Sequence, residues 1–190
     1  SSAASDVYKR QQRERKIDYN ADSKIILSHL DTHNVKKLLI CARTTAQIKG
    51  IISTTDLCAV LNARGYSWLS ITSKNGAFID GKRVHRETFF KTLNKWGKDD
   101  DKKFIVIHHS ILSEGINVTG LESALFLRNM NYITISQTIG RVIRTGNVSN
   151  TYGLICVPVY DKVGISTAKK VSSVVDTIFH KGEAATTTTR

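Results

Sequence analysis

Short apolar segments alternate with amphipathic segments along most of this chain. Val35 to Ala42 and Phe104 to Ile107 are short and largely apolar, which is typical of strands that are buried on both faces. Val84 to Trp96 instead repeats its apolar residues at helical spacing. The pattern therefore predicts strands and helices in alternation.

The same reasoning assigns the other segments. It predicts a short helix capped by Asp22 or Ser23 and ending near His33–Asn34, one or two helices between Thr45 and Ala63, strands at Tyr66–Thr72, Ala124–Leu127 and Thr151–Val159, a loop at Ser73–Lys82, and helices at Thr134–Arg144 and Ser166–Phe179. Apolar strands that alternate with helices indicate an α/β fold, in which a mostly parallel central sheet has helices on both faces. Ligands of such sheets lie beyond the carboxyl ends of the strands, so the loops after Ala42, Thr72 and Ile107 are the first candidates for a site.

Charge adds a candidate partner to this picture. The 190 residues include 28 Lys and Arg against 16 Asp and Glu, which gives a net charge of +12. Such an excess favours a polyanion, most often nucleic acid, although a basic surface alone would give the same count. No apolar run is long enough to span a bilayer, and the N-terminus lacks an apolar signal core, so we expect a cytoplasmic protein without a membrane partner.

The three cysteines are far apart in the sequence and lack metal-ligand spacing. Cys41 and Cys156 lie in apolar runs and Cys58 in a helical pattern, so we expect reduced thiols in the core and no metal site.

Both ends differ in character from the middle of the chain. Residues 1–16 are predicted to be a non-native or disordered leader, 17–182 a single domain, and 183–190 a truncated tail of a longer protein.

Two arginines share one face of the predicted helix at Thr134–Arg144. Gln137, Arg141 and Arg144 are spaced i, i+4 and i+7, so one amide and two guanidinium groups align. Planar guanidinium groups match phosphate in a bidentate manner, which makes a phosphate ligand the leading hypothesis. Gln137 has a second interpretation, because Thr134 and Gln137 also form a capping-box pattern.

Three motifs, taken together, resemble those of a known family. QTIGRVIR at 137–144, SILSEGINVTGLESALFL at 110–127 and LLICART at 38–44 are similar to the sixth, fifth and fourth motifs of superfamily 2 DEAD/DEAH-like helicases, in the same order. The resemblance covers roughly Asp22 to Phe179. It implies the second, C-terminal RecA-like lobe of an ATP-dependent helicase or translocase, a fragment that is inactive alone.

The resemblance also implies roles for individual residues. Arg141 and Arg144 would be arginine fingers that reach the γ-phosphate of ATP. The residues implied to bind or approach the nucleotide are Gln137, Gly140, Gly115, Asn117 and Glu114. The residues implied to lie along the nucleic acid are Arg43, Thr44, Thr72, Ser73 and Ser110. Asn117 departs from the aspartate usual in the family, but an amide can still hydrogen-bond a ribose hydroxyl.

The resemblance further implies the partners. ATP and Mg²⁺ would be held mainly by an N-terminal RecA-like lobe that lies outside this chain. The nucleic acid would be DNA or RNA, with DNA favoured.

Two alternatives stay open. The segment Gly76–Lys82 matches the phosphate-loop spacing G-x-x-x-x-G-K, so a small P-loop enzyme such as a nucleotide kinase is one of them. Arg83 stands where such a loop needs Ser or Thr, and Phe78 and Ile79 are bulky where the backbone must wrap a phosphate. The other alternative is a non-catalytic basic nucleic-acid-binding domain.

Two further groups of polar residues are weak candidates for metal binding. Adjacent histidines, His108 and His109, follow an apolar strand without other ligands nearby, so we expect one of them to pack and the other to face the loop. The acidic run Asp99 to Asp101 is better explained as a solvated turn than as a magnesium site.

Overall fold

A computed structural model of the chain describes residues 2–109, 120–127, 152–162, 169–180 and 186–190. These residues form four helices: α1 (Ser2–His33), α2 (Thr45–Thr54), α3 (Leu57–Ala63) and α4 (Arg86–Lys98). They also form nine strands: β1 (Lys37–Cys41), β2 (Ser67–Thr72), β3 (Gly76–Ile79), β4 (Lys82–Val84), β5 (Phe104–His108), β6 (Ser123–Phe126), β7 (Tyr152–Lys162), β8 (Lys169–His180) and β9 (Thr186–Thr189).

The strands form one sheet in the order β4-β3-β2-β5-β1-β6-β7-β8-β9. The central strands β2, β5, β1, β6 and β7 are parallel, and the strands at either edge are antiparallel to their neighbours. β1 lies in the middle, with β5 on one side and β6 on the other. The parallel core requires the connections over the sheet faces that the alternating sequence pattern predicted.

Helices cover both faces of this sheet. Within β1, Leu38 and Ile40 point to the face covered by α1, α2 and α3, whereas Leu39 and Cys41 point to the face covered by α4. The four side chains are almost fully buried, as expected for a strand between two layers. The predicted α/β class with a mostly parallel central sheet between helices is confirmed, and the arrangement is consistent with a RecA-like lobe.

The structure corrects three of the predicted elements. The predicted cap at Asp22 or Ser23 is wrong, because α1 runs without a break from Ser2 to His33. The predicted loop at Ser73–Lys82 contains β3, a turn at Asp80–Gly81 and the start of β4. The predicted helix at Ser166–Phe179 is replaced over its described part by strand β8, which pairs with β7. The division at residues 16 and 182 stays a prediction.

Asp22 has a different role from the predicted cap. Its Oδ2 accepts a hydrogen bond of 2.8 Å from Gln47 Nε2, which ties α1 to the first turn of α2. Both side chains are buried, and a buried carboxylate needs such a donor to offset its desolvation.

A buried polar cluster joins α1 to the sheet. His29 Nε2 and Ser123 Oγ are 2.7 Å apart, and one turn along α1 His33 Nε2 lies 3.1 Å from Asp176 Oδ2. The Arg190 guanidinium donates to the same carboxylate oxygen at 2.6 Å. Burial, with a smaller contribution from the neighbouring charges of His33 and Arg190, lowers the pKa of His29 to about 3.

We expect the free energy of unfolding to decrease as the pH is lowered from about 6.5, because of His29. Its pKa is about 6.5 when unfolded and about 3 when folded, so between these values only the unfolded chain binds the proton and acid favours unfolding. The free energy of unfolding should drop by about 2 kcal/mol between pH 7 and pH 5 on this account. Urea denaturation at the two pH values measures it.

His29→Gln is the matched variant, because its amide can still hydrogen-bond Ser123 and does not titrate. This variant should lose about 2 kcal/mol less than the parent over the same pH interval. Equal losses in the two proteins would show that His29 does not set the pH dependence.

Candidate functional site

The carboxyl ends of β1, β2, β5 and β6 meet at one edge of the sheet. Cys41 at the end of β1 is in register with His108 of β5 and with Phe126 of β6. The backbone pairing continues one residue further, because Ala42 N donates to His108 O at 2.8 Å and Leu127 N donates to Cys41 O at 2.9 Å. We call this region the carboxyl edge; it comprises residues 42–44, 72–75, 108–109 and 127.

The strand order makes β1 and β6 the switch point of the sheet. After β1 the chain moves to β2, on the β5 side, whereas after β6 it moves to β7, on the opposite side. The loops that leave two such strands diverge and open a crevice outside their carboxyl ends, which is where ligands of open α/β sheets bind. Residues 42–44 follow β1 at this point.

Arg43 and Thr44 are presented by the start of α2. Thr44 is the N-cap of this helix, and its Oγ1 accepts a hydrogen bond of 3.0 Å from Gln47 N. Gln47 Oε1 in turn accepts from Arg43 N at 2.6 Å, so the side chain of Gln47 fixes the backbone before the helix. The side chains of Arg43 and Thr44 are both exposed. The edge therefore offers a guanidinium group and a hydroxyl beside a helix N-terminus, a combination suited to phosphate.

Thr72 and Ser73 differ in what they can contact. Thr72 is buried, and its Oγ1 accepts a hydrogen bond of 2.8 Å from Asn75 N, which shapes the turn after β2. Ser73 is exposed in the same turn. The structure thus gives Thr72 a structural role and leaves Ser73 as the accessible hydroxyl of the predicted pair.

Of the two adjacent histidines, one packs in the core and the other faces the loop, as expected. His108 is buried, and its Nε2 lies 3.3 Å from Cys41 Sγ. His109 is half-buried, and its Nδ1 lies 3.2 Å from Ala42 O, at the base of the loop that carries Arg43. Within the described parts of the chain, no group of His, Cys, Asp or Glu is arranged to hold a metal ion.

The remaining predicted site residues lie outside the described residues. They are Ser110, Glu114, Gly115, Asn117, Gln137, Gly140, Arg141 and Arg144. The predicted helix at Thr134–Arg144 lies there too, and these assignments stay predictions.

Gly76–Lys82 does not have the geometry of a phosphate loop. It forms an antiparallel hairpin in which Phe78 pairs with Ser70 on one side and with Arg83 on the other. Backbone groups that pair with two neighbouring strands cannot also wrap a phosphate. The structure removes the main support for a small P-loop enzyme.

The acidic run after α4 is a turn. Asp99 to Asp101 are exposed, and Asp101 N donates to Asp99 Oδ1 at 3.1 Å. The expectation of a solvated turn is confirmed for these residues.

Lys37 makes buried contacts that the sequence pattern does not predict. It is only 2% exposed, and its Nζ donates to Gly97 O at 2.9 Å and to Asp99 O at 2.6 Å. Burial lowers the pKa of this ammonium group, although nearby acidic residues oppose the shift. The lysine satisfies carbonyl groups at the C-terminal end of α4, where a cation is favourable. The available signal was a pair of lysines, Lys36 and Lys37, inside an otherwise apolar predicted strand.

The thiols are structural. Burial raises the pKa of Cys58 to about 11 and also raises that of Cys156. Cys41 and Cys156 are buried, and Cys58 is half-buried against the core. The prediction of reduced core cysteines agrees with these positions. Separately, none of the described helices is both long and apolar enough to cross a membrane.

Part of the chain is similar to a solved structure. The fold matches the crystal structure of the C-terminal part of the Fun30 ATPase domain with a TM-score of 0.44 and 16% sequence identity. The match covers 67% of this chain and 36% of that chain. No protein-family model matches the sequence, and no curated protein does. The function is therefore inferred from the ordered motifs and the geometry of the carboxyl edge.

Proposed function

We propose that this chain is the C-terminal motor lobe of an ATP-dependent helicase or translocase that acts on DNA or RNA, with DNA favoured. It contributes arginine fingers to ATP bound on an N-terminal lobe and forms part of the track for a nucleic-acid strand. The observation that carries the proposal is the ordered set of three motifs at 38–44, 110–127 and 137–144. The first motif begins in the predicted strand Val35–Ala42, the second follows the predicted strand Phe104–Ile107, and the third lies in the predicted helix Thr134–Arg144.

The geometry of the carboxyl edge supports the nucleic-acid part. Arg43, Thr44 and Ser73 are exposed and belong to loops that leave β1 and β2 at the same side of the sheet. Guanidinium and hydroxyl groups of this kind contact phosphate and sugar, and so position a strand without reading its sequence. A net charge of +12 adds a long-range attraction for any polyanion.

In this proposal, ATP is contacted by the predicted site residues of the second and third motifs. Arg141 and Arg144 would stabilise negative charge on the transferred phosphoryl group. Gln137 and Gly140 would lie against the nucleotide, and Gly115, Asn117 and Glu114 would approach it from the loop after β5. Mg²⁺ would supply charge neutralisation at the phosphates and would be held mainly by the other lobe.

Replacing Arg43 tests the nucleic-acid part of the proposal. Arg43→Ala should weaken binding to a single-stranded dodecamer about fivefold, and it should lower the slope of log K against log salt by about one. Fluorescence anisotropy over a salt series, with matched DNA and RNA oligomers, gives both quantities and the preferred nucleic acid.

Lys91→Ala is the control for net charge. Lys91 is exposed on α4, where its Nζ lies 3.5 Å from Glu87 Oε1. Lys91→Ala removes one positive charge, as Arg43→Ala does, but from a different element. The proposal therefore predicts a smaller loss of affinity for Lys91→Ala than for Arg43→Ala. Equal losses of affinity in the two variants would indicate that binding depends on the net charge and not on the position of Arg43.

A further inference from the structure

A cavity of about 400 Å³ opens between α2, β2 and the hairpin formed by β3 and β4. We call it the hairpin cavity. Its wall on α2 includes Ile48 and Ile52, its floor on β2 includes Trp68 and Ser70, and its outer wall includes Phe78 of the hairpin. The volume is within the usual range of small-ligand sites, about 300–1,000 Å³.

The cavity is apolar inside and basic at its rim. Trp68 and Ser70 are buried, whereas Lys49 of α2 and Arg83 of β4 are exposed. The Arg83 guanidinium lies 5.4 Å from the centre of the Phe78 ring and donates to Asn75 O at 2.9 Å. Among the described residues that line the cavity, none is acidic. A ligand with a flat apolar group and an attached negative charge fits both features.

The hairpin cavity is continuous with the carboxyl edge. Thr72 lines the cavity and is also the last residue of β2, directly before the exposed Ser73. Asn75 of the same turn and Gly76, the first residue of β3, line the cavity as well. A strand whose phosphates lie along Arg43 and Ser73 therefore passes the mouth of the cavity.

We propose that the hairpin cavity takes one unstacked base of the bound single strand, with Phe78 as the aromatic wall and Lys49 and Arg83 beside the adjoining phosphates. This inference rests on the proposed function and adds to it a contact with a base, where the carboxyl edge offers contacts to the backbone alone. Stacking on aromatic side chains tolerates every base, because each base has a π-face. The contact strengthens binding without making it sequence-specific.

The test compares a twelve-nucleotide thymidine oligomer with an oligomer of the same length that has abasic sugars throughout. Both carry the same backbone charge, so their difference in affinity isolates the bases. The chain should bind the thymidine oligomer roughly fivefold tighter or more. Phe78→Ala should reduce that ratio toward one, whereas Arg43→Ala should weaken both oligomers alike and leave the ratio unchanged.

A second variant guards against loss of the hairpin in Phe78→Ala. Ser53 is exposed on α2 and lines the cavity, so Ser53→Trp fills the site from its rim without removing a core contact. It should also bring the ratio toward one, with the circular dichroism of the parent chain retained. A ratio near one in the parent, or an unchanged ratio in both variants, overturns the base site and leaves the proposed function standing. Failure of the parent to bind either oligomer overturns both.

Discussion

Replacing Arg141 or Arg144 by alanine should abolish nucleic-acid-stimulated ATP hydrolysis in a protein that carries this chain together with its first lobe. Arginine fingers stabilise the charge on the transferred phosphoryl group, and removing one lowers turnover on the order of a thousandfold or more. The affinity for nucleic acid should change little, because these side chains are assigned to the nucleotide. Steady-state ATPase rates with and without a single strand, and anisotropy binding, measure the two quantities.

Lysine variants at the same two positions sharpen this experiment. Lysine keeps the positive charge but loses the planar, bidentate donors of arginine. If Arg141→Lys and Arg144→Lys are also inactive, geometry as well as charge is required. Near-normal turnover in both alanine variants would contradict the assignment and would favour a non-catalytic nucleic-acid-binding domain, in which Gln137 and Gly115 are also dispensable.

The core strands could be predicted because their sequences have one interpretation. Val35–Ala42 and Phe104–Ile107 are largely apolar, and they coincide with two strands buried on both faces, β1 and β5. The helix predicted at Val84–Trp96 is confirmed as α4 with its ends shifted by two residues, Arg86–Lys98. A strand that is apolar on both faces is stable only where helices cover it on both sides, which is in the interior of the sheet.

The hairpin was missed although the sequence contained its signal. Asp80 and Gly81 have φ values of +48° and +83°, as a tight turn between two antiparallel strands requires. An Asp-Gly pair is a strong local indication of such a turn. The predicted loop at Ser73–Lys82 does not include this hairpin, which forms the outer wall of the hairpin cavity.

The spacing of the apolar residues in β8 favours a helix, whereas their residue types favour a strand. Val171, Val174, Val175 and Ile178 fall at helical spacing, yet valine and isoleucine are also the residues that favour strands. The structure pairs β8 with β7 from Lys169 to His180. Long-range pairing decided the outcome, and no window of local sequence contains that information.

The candidate site was predictable only where sequence motifs mark it. The resemblance to helicase motifs implies roles for Arg43 and Ser73, and both are exposed at the carboxyl edge. Thr72 was named with Ser73, but its hydroxyl accepts from the backbone of the turn. Lys37 was not named, because its partners are carbonyl groups 60 and 62 residues away in the sequence. Every residue has a backbone carbonyl group, so the sequence of the partner segment does not indicate such a contact.

The Gly97 carbonyl that accepts from Lys37 also limits what residue 120 can be. Gly120 has a φ of +91°, and a Cβ built there would lie 1.9 Å from Gly97 O. Gly120→Ala must therefore displace the end of α4, together with the hydrogen bond from Lys37, or shift the segment that leads into β6. We expect the free energy of unfolding to fall by about 3–5 kcal/mol, from backbone strain and overpacking combined. Urea denaturation measures it.

Gly65→Ala separates the two contributions. Gly65 has a similar φ of +78°, but a Cβ there would meet nothing within 4 Å, so only the backbone strain of about 1 kcal/mol should remain. The difference between the two variants is then the contribution of the contact with Gly97. Gly120 lies in the segment that leads into β6, and the carboxyl end of β6 forms one side of the switch-point crevice. We therefore also expect Gly120→Ala to weaken nucleic-acid binding more than Gly65→Ala does. Equal destabilisation in the two variants would show that the chain around Gly120 can move away from α4 without loss.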